Sequence, residues 1–312
     1  MPNNPEQATH SDNQSPPDRS GLATERRNPR STQLGSLDTA SIVKLMADED
    51  AAVLTAMQKA EPTLTALIDS IIPLWNQGGR VIYIGAGTSG RLGVLDASEA
   101  PPTFHIEQGR IIGIIAGGDS ALRNSSEGKE DDPQGSHAAL NEINLTSNDT
   151  LIGIASGGTT PYTVGALQHA KSQHTNTAFI VCTPVPHPTF IDHLITLDTG
   201  PEVLTGSTRL KAGTATKLAL NTISTTLMAR TGRVYQNLMV DLKPTNDKLK
   251  DRAARIIAKI VGIPRDPALE WLNQAGGSVK IAAVMAKNNI TRDEAIALLN
   301  EANGNLRDVL DD

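Results

Sequence analysis

Cysteine is almost missing from this 312-residue chain, which holds only Cys182. A lone cysteine excludes a disulfide framework, and its place behind the apolar run Ala178-Phe179-Ile180-Val181 marks it as a buried strand residue. Aromatic residues form 3% of the chain, too few for base-stacking platforms, so the core falls to Ile, Leu, Val and Ala. Positive charge is not in excess either: 28 Lys and Arg stand against 34 Asp and Glu, a formal net charge of -6. Binding to a nucleic-acid backbone needs a dense cationic surface, so no nucleic-acid partner is expected. No apolar run is long enough to cross a bilayer and no apolar signal segment follows the N-terminus, so the expectation is a cytoplasmic chain without a membrane partner. The seven histidines, His105, His187 and His193 among them, lack the H-E-x-x-H type of spacing, and no metal site is expected.

Residues 1–35 are rich in Pro, Asn, Gln, Ser and Arg, with too few apolar positions to offset ordering entropy, and read as a disordered leader. Residues 36–70 form an N-terminal helical segment: Leu37, Ile42, Leu45, Met46, Val53, Leu54 and Met57 recur at helical spacing, and the pattern runs on to a stop at Gly78-Gly79. Over residues 71–234, short β-rich runs alternate with amphipathic stretches: 81–84, 111–116, 151–155, 178–182 and 194–197. Near-continuous apolar runs of this kind are parallel strands buried on both faces and joined by crossover helices. The fold class is therefore α/β, a three-layer α/β/α sandwich on a parallel five-stranded sheet, with ligands expected beyond the carboxyl ends of the strands. Residues 235–312 read as helices to the end, closing in a small UBA-like bundle expected to serve packing or dimerisation.

The first strand runs into Gly85-Ala86-Gly87-Thr88-Ser89-Gly90-Arg91 ahead of a helical stretch. Glycines let backbone N–H groups approach an anion, and a helix N-terminus adds the positive end of its dipole. The same segment satisfies the G-x-G-x-x-G dinucleotide fingerprint, so a nicotinamide-dependent enzyme is one reading and an ordinary strand-to-helix turn is another. The third strand, however, ends in a second hydroxyl-rich loop, Ser156-Gly157-Gly158-Thr159-Thr160-Pro161. A dinucleotide does not require that loop. Two such loops converging on one small anion suit a sugar phosphate, with Gly87, Thr88, Ser89, Ser156, Gly157, Thr159 and Thr160 as the binding residues.

These two loops in this order resemble the SIS (sugar isomerase) domain, a flavodoxin-like fold. The run from Gly85 to Pro102 resembles the first signature of the N-acetylmuramic acid 6-phosphate etherases, and Gly200 to Thr214 resembles a signature they share with the glucokinase regulatory protein. Glu127-Gly128-Lys129-Glu130-Asp131 matches the family's acidic motif, and Asn237 to Asp241 with Thr245-Asn246 matches a stretch beyond the sheet. The second loop departs from the family in carrying glycine at position 158 instead of an arginine, and Thr216 stands where the family has Gln.

The resemblance implies removal of the lactyl ether from a muramic acid 6-phosphate with no cofactor, by elimination of lactate and addition of water. It assigns Glu99 as the proton donor to the departing ether oxygen and Glu130 as the second active-site glutamate, acting at C2. Without the resemblance, Glu99 reads as a solvated residue where a helix ends before Pro101-Pro102, and Glu130 as part of a solvated acidic face. Arg209 and Lys211 complement the phosphate or the lactyl carboxylate, or else make surface pairs. The implied assembly is a homodimer in which each subunit contributes to its partner's site. A sugar-phosphate-binding regulator without catalysis is the alternative function.

Overall fold

The computed structural model describes residues 18–311. Its centre is a parallel five-stranded sheet: β1 (Val81–Gly85), β2 (Ile111–Ile115), β3 (Thr150–Ile154), β4 (Asn176–Val181) and β5 (His193–Thr196), in the order β2-β1-β3-β4-β5. Val81 is level with Ile111 on one side and with Thr150 on the other. Side chains alternate between the two faces, as the pleat requires. Val81 and Tyr83 join the core beneath α1 (Thr39–Asn76), α2 (Gly87–Phe104) and α5 (Lys211–Arg230). Ile82 and Ile84 join the opposite core beneath α3 (His137–Glu142) and α4 (Pro161–Ser172). The three layers are those the apolar runs require.

Asp38 caps α1 by accepting the Ser41 N–H at 2.8 Å, and the helix continues as one piece to Asn76 through Pro62 and Pro73. Its buried face, Val53, Ala56, Ala60, Leu64, Leu67, Ile71 and Trp75, packs against α5 and keeps it helical across both prolines. Asp96 of α2 is buried and fully bonded: it accepts Tyr83 Oη at 3.1 Å, Asn221 Nδ2 at 2.9 Å and Ser224 Oγ at 3.1 Å. One carboxylate thus fastens α2 to β1 and to α5.

Two expectations change. Of the leader, residues 1–17 lie outside the described residues, but residues 18–36 are built into the fold through 3-10 turns at Ala23–Glu25, Pro29–Ser31 and Leu34–Ser36. Ala23 donates its N–H to Thr183 Oγ1 at 3.1 Å, and the buried Asn28 donates to Glu49 at 2.6 Å and to the Pro201 carbonyl at 3.2 Å. Hydrogen bonds to Thr183, Glu49 and Pro201, with Ala23 buried among them, tie this segment to the fold. Second, the chain beyond Gly232 is not wholly helical: β6 (Val234–Tyr235) and β7 (Leu238–Met239) form a short antiparallel hairpin before α6 (Asp247–Val261), α7 (Arg265–Gln274), α8 (Val279–Asn288), α9 (Arg292–Glu301) and α10 (Arg307–Leu310). These helices share a core of their own, including Ile257, Leu272, Ala283 and Leu299.

Asp149 anchors the edge opposite the strands' carboxyl ends. It accepts Arg80 Nε at 2.9 Å and Nη2 at 2.6 Å, together with the backbone N–H groups of Arg80 and Thr146 at 2.9 Å each. Burial alone would raise its carboxyl, but the Arg80 and Thr146 hydrogen bonds and the Arg80 charge outweigh it and hold the group below the ordinary value. Because the folded value is depressed, the stabilisation is present above the unfolded value near 3.9 and is lost as pH falls through the folded one. Asp149→Asn should cost about 3 kcal/mol at pH 7. In urea titrations the gap from wild type should close as the pH is lowered below about 4.

Candidate functional site

The sheet order reverses between β1 and β3, so the connections from those two strands leave toward opposite sides and open a crevice at their carboxyl ends, where open α/β sheets bind ligands. Both hydroxyl-rich loops lie there. After Gly85 closes β1, α2 begins at Gly87, placing Thr88 and Ser89 in its first turn. Gly90 must be glycine: a Cβ there would stand 2.6 Å from the Gly85 carbonyl oxygen and from Ile115 Cγ1. After β3, the Ser156 carbonyl accepts the Cys182 N–H at 2.8 Å, and Thr160 leads into α4 with Pro161 at its first position. Gly158 has φ +71, and a Cβ there would press on Val185 at 3.0 Å, so the backbone itself selects against an arginine at 158.

The loops enclose a cavity of about 220 Å³ lined by Gly87, Thr88, Ser89, Ser156, Gly157, Thr159 and Thr160, and also by Ala86, Ala155, Thr208 and Glu130. The N-termini of α2 and α4 meet at it, and their dipoles favour an anion; the first-turn N–H groups of α2 add to this, whereas at α4 Pro161 has no N–H and those of Tyr162 and Thr163 are bonded to the Glu130 and Thr160 carbonyls. Glu130 is held there because its carbonyl accepts the Tyr162 N–H at 3.0 Å, which ties the acidic loop to α4. The remaining wall is Arg19, Leu22 and Glu25 from the N-terminal segment. Sequence reasoning missed these three and Thr208. Arg19 and Glu25 sit in a stretch whose composition signals disorder, and only Leu22-Ala23 hints at contact with a core.

A larger cavity, about 540 Å³, lies beside the hairpin region around Asp241, Lys243, Asn273 and Ser278. Its acid is already committed, Asp241 accepting Lys280 Nζ at 2.9 Å with Arg233 at 3.4 Å. Convergent hydroxyls and helix N-termini, not volume, mark the crevice as the site. Cys182 takes no part: burial pushes its thiol up to about 11, so it stays neutral, 3.6 Å from Thr216 Oγ1.

A family model described as the glucokinase regulatory protein N-terminal SIS domain matches residues 63–171. The N-acetylmuramic acid 6-phosphate etherase of Parasynechococcus marenigrum is 50% identical over 293 residues, covering 93% of this chain and 92% of the relative. That of Caldanaerobacter subterraneus subsp. tengcongensis is 45% identical over 290 residues, covering 93% and 95%. N-acetylmuramic acid 6-phosphate etherase 1 of Bacillus licheniformis is 46% identical over 290 residues, with the same coverage. The chain belongs to the N-acetylmuramic acid 6-phosphate etherase family.

Of the residues matched to the etherase signatures, the structure gathers some and separates others. Glu130 is in the crevice and Glu99 is not. Contrary to expectation, α2 does not end at Glu99. It runs through Pro101-Pro102 to Phe104, closed by His105 in the left-handed conformation, because burial of Ala97, Ala100 and Phe104 outweighs the hydrogen bonds the prolines lose. Glu99 is therefore exposed in the body of the helix, about 18 Å along its axis from Gly87. Arg209 is exposed and does not line the cavity.

Lys211 is 2% exposed, with its ammonium 2.6 Å from Glu49 Oε2, and Glu49 also accepts Arg30 Nη1 at 2.8 Å. Desolvation would raise the Glu49 carboxyl, but the Lys211 and Asn28 hydrogen bonds and the Lys211 and Arg30 charges bring it below its ordinary value. Glu202, fully buried, caps the same helix end by accepting the Lys211 and Ala212 N–H groups at 3.1 and 2.9 Å. Burial raises its carboxyl, with those two bonds and the Lys211 charge opposing. Lys211 therefore locks the N-terminal segment and α1 to α5 and does not face the cavity. Lys211→Met should lower stability by about 3 kcal/mol, since Glu49 keeps only Arg30 and Asn28. Urea unfolding reads this, and an unaltered unfolding midpoint would show that the pair is not structural.

Proposed function

We propose that the protein cleaves the D-lactyl ether of N-acetylmuramic acid 6-phosphate as a carbon-oxygen lyase, giving N-acetylglucosamine 6-phosphate and D-lactate. The observation that carries this reading is the crevice itself, in a chain of the etherase family: two hydroxyl-rich loops and two helix N-termini around one small cavity, with Glu130 on its wall.

An ether resists hydrolysis at neutral pH, so the bond must first be activated. Opening of the sugar ring places an aldehyde beside C2, which makes the C2 proton acidic. Glu130 takes that proton, the C3–O bond breaks, and lactate leaves with a proton from an acid, giving a C2–C3 double bond conjugated with the aldehyde. Water adds at C3, C2 is reprotonated and the ring closes. The balance is one water consumed for one lactate released. Thr88, Ser89, Ser156, Thr159 and Thr160 hold the phosphate through hydroxyls and backbone N–H groups at the two helix starts.

Glu99 is the acid, reaching the cavity of a second copy in a homodimer. Its exposure on α2, away from its own chain's cavity, supports this reading. So do apolar side chains left uncovered, Leu95 one turn before it on α2 and Val43 and Leu54 on one face of α1, which are 46%, 64% and 63% exposed.

With N-acetylmuramic acid 6-phosphate, the wild type should release D-lactate, and Glu130→Gln should lower kcat by about 10²- to 10⁴-fold, the usual contribution of a positioned acid or base. A folded wild type that releases no lactate overturns the activity. Mixing inactive Glu99→Gln with inactive Glu130→Gln chains should restore roughly a quarter of the wild-type rate, because half the dimers are mixed and one of their two sites is intact. No recovery after verified subunit exchange would place both glutamates in one chain's site.

A further inference from the structure

The cavity wall contributed by the N-terminal segment carries a charge that the two loops lack. Glu130 and Glu25 both line the cavity, so a phosphate entering it meets two carboxylates. Hydroxyls and helix dipoles supply partial charges only, whereas a phosphate dianion taken partly out of water is held most strongly by a formal cation. Among the residues lining the cavity, one is cationic: Arg19. Arg209 and Lys129, beside Thr208 and Glu130, do not line it, and two other cations of the surrounding elements are committed. Lys211 is buried on Glu49 at 2.6 Å, and the Arg91 guanidinium donates to the carbonyls of Leu122 at 3.2 Å and Asn124 at 3.0 Å.

Arg19 forms no ion pair among the described residues, although Glu25 lines the same cavity. Its position is not that of a loose tail. Three residues on, the Leu22 side chain lies 3.4 Å from where a Cβ of Gly157 would be, and the Ala23 N–H is bonded to Thr183 at 3.1 Å. Asn28 fastens the segment to the Glu49–Lys211 pair. A guanidinium set at an anion cradle by a pinned backbone, and left without a carboxylate partner, is suited to bidentate contact with phosphate oxygens.

We propose that Arg19 binds the substrate's 6-phosphate, closing the cradle formed by the two loops. This rests on the sugar-phosphate reading of the site. The test compares the full-length wild type, Arg19→Ala, Arg19→Lys and Arg27→Ala. Arg27 is an exposed arginine of the same segment that does not line the cavity. Calorimetry gives Kd for N-acetylglucosamine 6-phosphate, which has the phosphate but no lactyl group, and lactate release gives kcat and KM.

Loss of a charge-assisted hydrogen bond should raise both Kd and KM by about 10- to 100-fold in Arg19→Ala, with kcat within a few fold of wild type. Arg19→Lys should lie between, and Arg27→Ala should match wild type. Equal melting temperatures exclude unfolding as the cause. A Kd within twofold of wild type in Arg19→Ala overturns the proposal. So does a rise in KM with Kd for the lactyl-free sugar unchanged, which would assign Arg19 to the lactyl carboxylate. If the wild type binds the sugar phosphate tightly but releases no lactate, the etherase activity fails while the calorimetric comparison still decides the role of Arg19.

Discussion

The reversal of strand order between β1 and β3 is the constraint on which the rest of the structure depends. Two adjacent parallel strands send their chains to opposite faces of the sheet, so nothing fills the space above their shared end. Each strand is followed by a helix whose first turn meets that gap, one with Thr88 and Ser89 and the other introduced by Thr159 and Thr160. Anion affinity is thus a by-product of how a parallel sheet must be connected. What the sequence adds is glycine where backbones press together, as at Gly90, and hydroxyls where they do not.

A second element completes the crevice from outside the sheet. The Glu49–Lys211–Asn28 cluster is buried, and a buried ion pair is a poor source of net stability compared with apolar packing. Its effect here is positional. It joins the N-terminal segment, α1 and the start of α5 at one point, and the segment then passes over the cavity with Leu22 and Glu25 on its wall. Glu202, sealed at the same helix start, fixes that end of α5 from the other side.

The sheet and the two loops were legible in the sequence because both signals are local: buried parallel strands are continuous apolar runs, and a turn that approaches an anion needs glycine. Cys182 was legible for the same reason. The role of Lys211 was not, since a lysine in a polar motif gives no sign that its partner is Glu49, 162 positions earlier. The order of residues 18–36 was hidden because it rests on single hydrogen bonds from Ala23 and Asn28 to distant loops, which leave no periodicity. The helix through Pro101-Pro102 was misread because a local proline rule yielded to the burial of Ala100 and Phe104. The location of Glu99 away from the crevice is invisible to motif matching, which orders residues along the chain without saying how far apart they fold.

The central claim is that this crevice carries out an elimination followed by addition of water. It is tested most directly by running the reaction in deuterium oxide and measuring the mass of the sugar product. Removal and return of the C2 proton in a cavity open to solvent predicts N-acetylglucosamine 6-phosphate carrying deuterium bound to C2. Lactate release with no deuterium at C2 would contradict it.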